Sequence, residues 1–117
     1  KLSTDLRQHP RFPFRRQLTI LAKEPKLGKT IGYDATGVNL SRGGILLESR
    51  ADFETDTLCT LTFKDLQDQI NTRTGAIRRV EKPDNSNLPD AIRLYGIEFD
   101  EPFSEEQLNS MMAMSEV

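Results

Sequence analysis

Apolar residues recur at every second position in several short stretches of this chain, and that spacing predicts strands rather than helices. After Phe14, residues Leu18, Ile20 and Ala22 fall on one face of a strand that runs to Glu24-Pro25, and β-branched Thr19 and Ile20 favour extended backbone. Pro25 to Gly28 predicts a turn. Ile31 to Leu40 forms a second strand, in which Gly32 and Gly37 predict a bend or bulge, and Arg42-Gly43-Gly44 turns it back into Ile45 to Glu48 as a hairpin. Cys59, Leu61 and Phe63 alternate with Leu58, Thr60 and Thr62 in a further strand that ends near Lys64-Asp65. A longer strand covers Gln69 to Val80, and a polar loop from Pro83 to Pro89 precedes a last strand from Ile92 through Gly96 to Phe99.

The period changes at the C-terminal end. Ser104 is placed to cap a helix, Glu105, Glu106 and Gln107 suit its first turn, and Leu108, Met111, Met112 and Met114 recur at spacings of three or four, as a packing stripe does. Six strands punctuated by Gly, Pro and Asn, followed by one helix, predict an all-β fold: a small six-stranded antiparallel barrel with the helix against an opening or edge. Residues 1–13 lack either apolar period and contain Pro10 and Pro13, so they read as a flexible, extended basic arm, with the barrel and helix over 14–117.

Composition narrows the chemistry. A chain of 117 residues fits one domain, and its 16 Lys+Arg against 18 Asp+Glu, a net charge of -2, disfavour a DNA- or RNA-binding protein. The absence of Trp, with only two Tyr and six Phe, also leaves no aromatic platform for single-stranded nucleic acid. One cysteine, Cys59, excludes an internal disulfide and a multi-cysteine zinc site, and one histidine, His9, leaves little for a metal centre or a Ser-His-Asp arrangement. No paired acid and base or phosphate-cradling loop appears, so no enzyme and no cofactor are expected. No apolar run is long enough to insert in a membrane, and no leader is visible ahead of a chain that starts at Lys1. The average charge conceals a polarity: Lys1, Arg7, Arg11, Arg15 and Arg16 face only Asp5 in residues 1–16. After Arg93 come Glu98, Asp100, Glu101, Glu105, Glu106 and Glu116 with no basic residue. Arginine rather than lysine dominates the basic end, and its planar fork can bond a phosphate or a guanine edge twice and stack on a base.

Two local patterns carry the information: Arg7-Gln8-His9-Pro10-Arg11, and Asn39-Leu40-Ser41-Arg42-Gly43-Gly44 at the end of the second strand. In this order, on a six-stranded barrel with a later Tyr95-Gly96-Ile97-Glu98-Phe99 strand, they resemble the PilZ domain family, whose signature is RxxxR followed by [D/N]xSxxG. Arg11-Phe12-Pro13-Phe14 also looks like the family's approach to its first strand, and the resemblance covers nearly the whole chain. It implies a receptor for cyclic di-GMP in a bacterial, cytoplasmic setting, with a protein partner or fused domain receiving the signal. A PilZ-like interaction domain that binds no nucleotide is the alternative.

The residues suit such a ligand on their own chemistry. Arg7 and Arg11, four apart on an extended arm, can lie up to roughly 13 Å apart and reach separate parts of one dinucleotide. Asn39 and Ser41, two apart on a strand, are expected to share a face, where amide and hydroxyl can bond a guanine edge or a phosphate. Gly44, and with it Gly43, can supply left-handed backbone or let a ligand approach. Arg11-Phe12-Pro13-Phe14-Arg15 also fits RxxxR, but Phe12, Phe14, Leu18 and Ile20 read better as the strand entry beyond the motif than as part of it, so Arg7 and Arg11 are preferred. Arg15 then flanks the strand and Arg16 is an auxiliary contact. Leu6, at the place the family resemblance associates with stoichiometry, offers no further guanidinium and favours one nucleotide per domain. His9 reads as a spacer and Cys59 as a small core residue. Arg78 and Arg79 are neighbours on a strand and should point to opposite sides, so at most one extends a basic face, and a solvated role is expected for them.

Overall fold

The computed structural model describes residues 12–24, 28–64, 70–82 and 91–115, with side chains as far as Met111. Its strands are β1 (Phe12–Pro13), β2 (Gln17–Glu24), β3 (Lys29–Leu40), β4 (Gly44–Ser49), β5 (Leu58–Lys64), β6 (Ile70–Glu81) and β7 (Arg93–Phe99), and helix α1 spans Glu105–Ser115. All pairings are antiparallel. Two local meanders, β2-β3-β4 and β5-β6-β7, meet along two seams, β2 with β5 and β4 with β7, so six strands close into a ring. This is the barrel the periodicity predicts.

The seventh strand is the two-residue β1, which pairs Phe12 with Leu40 and Pro13 with Asn39 on the edge of β3 that β2 also uses. β1 and β2 form one strand interrupted at residues 14–16: Phe14 N donates to Val38 O at 3.0 Å and Gly37 N to Arg16 O at 2.8 Å. Four steps along the chain from Pro13 to Gln17 match three from Asn39 to Thr36, which makes the interruption a bulge. Sequence patterning missed β1 because its two residues cannot show a period and Pro13 donates no amide.

The alternation of the sequence is the alternation of the barrel wall. Ile20 and Leu47 point inward and are fully buried while their strand neighbours are more exposed, and Leu40 and Ile77 are fully buried too, Ile77 following buried Gly75 and Ala76 just before the bulge in β6. Cys59, Leu61 and Phe63 line the inside of β5, as expected. Phe14 fills the gap at the bulge with no exposed surface. Across the barrel, buried Tyr95 donates its hydroxyl to Ala51 O and accepts from Phe53 N at 2.9 Å, fixing the crossing from β4 to β5. Burial pushes its phenol pKa up.

One end of the barrel is closed by the segment leading into α1. Phe103, Leu108 and Met111 join the core, and the Arg73 guanidinium lies 4.1 Å from the Phe103 ring centroid. The predicted cap forms in both directions, Gln107 N donating to Ser104 Oγ at 3.1 Å and Ser104 N to Gln107 Oε1 at 2.9 Å. Of the expected stripe, Leu108 and Met111 pack inward, and the Met112 and Met114 side chains lie outside the described residues.

Candidate functional site

The β3–β4 hairpin carries the second signature pattern. β3 bulges between Gly37 and Asn39, as its glycines predict, and the carbonyl of Phe14 crosses so close to Gly37 that an added Cβ would stand 2.4 Å from it. Beyond the bulge Asn39 is half-buried, flanked by Pro13 of β1 and Leu46 of β4, while Leu40 turns inward. Ser41 is not on Asn39's outer face. It lies just past the end of β3 at 5% exposure, where its amide and its Oγ both donate to Gly44 O, at 2.9 and 3.3 Å. The strand ends one residue earlier than an alternation argument needs, and the hydroxyl turns into the hairpin.

Gly44 does not supply left-handed backbone: among the described glycines only Gly28 has a positive φ, at 67°. What its missing side chain permits is the passage of β7, since a Cβ at Gly44 would lie 2.2 Å from Ile97 O. The residues between are also committed. Phe99 N donates to Gly43 O at 2.9 Å, Phe103 N donates to Arg42 O at 2.7 Å, and Arg42 Nε returns a bond to Phe103 O at 2.8 Å. The hairpin turn is thus tied to the segment that enters α1. Arg42 was unreadable from the sequence, where it occupies an unspecified position of the signature.

Of the basic residues, Arg7 and Arg11 lie outside the described residues. Arg15 pairs with Glu48 of β4 at 3.3 Å, on the outer face beside the hairpin. Arg16 diverges from it, its Nη2 donating to Lys64 O at 3.3 Å at the end of β5. The arrangement therefore gathers Asn39, Ser41, Gly43, Gly44 and Arg15 around one hairpin and directs Arg16 elsewhere.

Arg78 and Arg79 break the expected alternation. β6 shifts register between Ile77 and Arg79, because Ile77 pairs with Ile97 and Arg79 with Gly96, so Arg78 is the extra residue of a bulge and both arginines are exposed. Arg78 bonds Glu98 and Asp56, each at 3.0 Å, and Arg79 pairs with Glu81. These are solvent-exposed ion pairs, screened by water. Among the described residues no group of His, Cys, Asp and Glu could hold a metal ion, and no helix is long and apolar enough to cross a membrane.

The comparisons with known proteins agree with this architecture. The PilZ domain model matches residues 5–115. No curated protein sequence matches the chain. Among solved structures, the Bacillus subtilis inhibitor of motility MotI/DgrA is similar at a TM-score of 0.65 and 16% identity, over 94% of this chain and 50% of its own. K. pneumonia MrkH, solved as a complex with c-di-GMP, is similar at 0.56 and 16% identity, over 97% of this chain and 51% of its own. The chain thus spans about half the length of each. At such identities the two structures speak for the fold, whereas the family match runs through both signature patterns and almost the whole barrel, and the chain belongs to the PilZ domain family.

Proposed function

We propose that this domain is a receptor for cyclic di-GMP, without catalytic turnover, in which the basic arm closes over the nucleotide against the β3–β4 hairpin. One observation carries the reading: β1 pairs Phe12 with Leu40 and Pro13 with Asn39. Arg11 is covalently next to Phe12, so its Cα lies about 3.8 Å from that anchored residue whatever path the arm takes. The second signature pattern is thereby paired with the strand that begins directly after the first. Family membership and the c-di-GMP complex of the MrkH neighbour support the same ligand.

In this mechanism Arg7 and Arg11 make charge-assisted bonds to the phosphates or guanine edges, and the Asn39 amide addresses a guanine from the barrel side. Asn carries no charge, so its bonds to guanine N1–H and N2–H are weaker than an aspartate's would be. Arg15, Gly43 and Gly44 border the site, Ser41 holds the hairpin that presents Asn39, and Arg16 is the most peripheral contact. One nucleotide binds per domain. Ordering of the arm is the signal, read by a protein partner or fused domain in the bacterial cytoplasm, a reducing setting consistent with the free thiol of Cys59.

Calorimetric titration with cyclic di-GMP tests this. The parent chain binds, and Arg11→Ala weakens binding by roughly 10- to 100-fold, as loss of bonds to a charged group worth about 1.5–3 kcal/mol requires. A parent chain that does not bind refutes the receptor and favours an interaction domain. Normal binding by Arg11→Ala, with loss in Arg15→Ala, moves the motif four residues toward the barrel.

A further inference from the structure

β3 is longer than the strand that flanks it on one side. β4 accompanies it only from Ala35 onward, so residues 29–34 are flanked by β2 alone. In an antiparallel ladder a residue turns its amide and carbonyl to one side, and the next residue turns them to the other. Gly37 N donates to Arg16 O at 2.8 Å, on the side of β2, and Asp34 O accepts from Ser49 Oγ at 2.9 Å, on the side of β4. Both bonds set the same phase: odd residues serve β2, and Thr30, Gly32 and Asp34 aim their main-chain groups at the open flank. These three are exposed, and the two between them, Ile31 and Tyr33, are half-buried on the inner side. Between Lys29 and Asp34 the edge carries no proline and no charge, the usual devices that deter a further strand. The other overhang, at residues 70–74 of β6, is already engaged: Asp100 N donates to Thr74 O at 3.0 Å and Arg73 Nη2 to Glu101 O at 2.9 Å.

We infer that residues 30–34 are a docking edge for an extended peptide of a partner protein. The peptide lies antiparallel to β3, the orientation in which Thr30 and Gly32 can each exchange two bonds with one residue opposite. Charge sets its direction. Asp34 stands at one end of the edge, while Lys23, in register with Thr30, and Lys29 stand at the other against one buried carboxylate, Glu24. A fitting peptide therefore has a basic residue opposite Asp34 and an acidic one opposite Thr30. Its residues opposite Tyr33 and Ile31 turn to the inner side and are apolar, adding to the contact of Tyr33 with Phe53, whose rings meet edge-on at 5.7 Å. Read from its N-terminal end, the occupant is basic, apolar, any residue, apolar, acidic. Nucleotide plays no part in this contact, and the inference stands apart from the receptor reading.

Titration of the nitrogen-labelled whole chain, without nucleotide, with the blocked pentapeptide Lys-Val-Thr-Val-Glu tests it. The amides of Thr30, Gly32 and Asp34 shift saturably and exchange more slowly, while that of Thr72 on β6 does not move. The reversed order, Glu-Val-Thr-Val-Lys, binds about 5-fold more weakly, equivalent to about 1 kcal/mol. Gly32→Pro removes an amide that β2 does not use, and proline is tolerated on an edge, so this variant melts with the parent and loses about 5-fold in affinity. Gly32→Ala keeps the amide and changes Kd by less than about 2-fold. A peptide N-methylated at its central threonine cannot donate to Gly32 O and binds the parent chain as weakly as the proline variant binds the plain peptide, a test that needs no substitution to fold. Absence of saturable shifts at these residues, equal binding of the two peptide orders, or undiminished binding of the N-methylated peptide overturns the docking edge.

Discussion

Replacing Gly44 by alanine separates a glycine kept for a ligand from one kept for the barrel. The added Cβ would lie 2.2 Å from Ile97 O, whereas carbon and carbonyl oxygen are comfortable at about 3.3 Å, so β4 and β7 must part by about 1 Å. Both strands are backbone there, and no flexible side-chain end can give way. The separation opens the 2.9 Å bond from Phe99 N to Gly43 O beyond useful length and disturbs the bonds from Ser41 to Gly44 O. At about 1 kcal/mol per bond, with about 1–3 kcal/mol for overpacking, the expected destabilisation is about 3 kcal/mol. For a domain of this size that lowers Tm by roughly 10 °C and removes a large part of a typical 5–15 kcal/mol. Urea denaturation and a thermal melt in the absence of nucleotide measure it. Gly32→Ala is the control, because the nearest atom to its Cβ is the flexible end of Leu21 at 3.4 Å. If Gly44→Ala melts with the parent and loses only nucleotide affinity, the close strand approach is not what the glycine serves.

Local chemistry sets two further outcomes. Ser104→Ala removes one half of the reciprocal cap and should cost about 1 kcal/mol, most of it restored by Ser104→Asp, with faster amide exchange at the start of α1 as the readout. Burial, with a smaller contribution from the charge of Asp100, pushes the Cys59 thiol from 9.0 up to about 12. At pH 8 the native thiol should therefore resist a disulfide reagent until the chain unfolds. The protonated thiol is the folded form, so its contribution to stability is complete below pH 9 and is lost as pH rises from 9 toward 12. Rapid labelling of the native domain at pH 8 would contradict the burial.

The parts of the fold written in strict alternation were legible: residues 18, 20 and 22 of β2, and 59, 61 and 63 of β5, could face only one interior once they were strands. The cap at Ser104 was legible because its chemistry is local. What escaped were places where a strand changes phase. The bulge in β6 turns two neighbouring arginines outward, the bulge at residues 14–16 lets Phe12 and Pro13 rejoin β3, and the end of β3 at Leu40 sends Ser41 inward. Each depends on the partner strand's register, which no single stretch of sequence specifies. The signature pattern located the hairpin correctly, but the reason for Gly44 lies on β7, at Ile97, far along the chain.

Ring closure also limits how the domain can be addressed by other proteins. Each of the six ring strands has a neighbour on both flanks. A visiting peptide that binds by adding itself to a sheet needs an edge with a row of idle amides and carbonyls, and among the described residues such edges are confined to the overhangs, residues 29–34 of β3, flanked by β2 alone, and residues 70–74 of β6, flanked by β5 alone. Over the rest of the ring, where every strand is flanked on both sides, a partner could be met only by side chains of the wall or of the two mouths of the barrel.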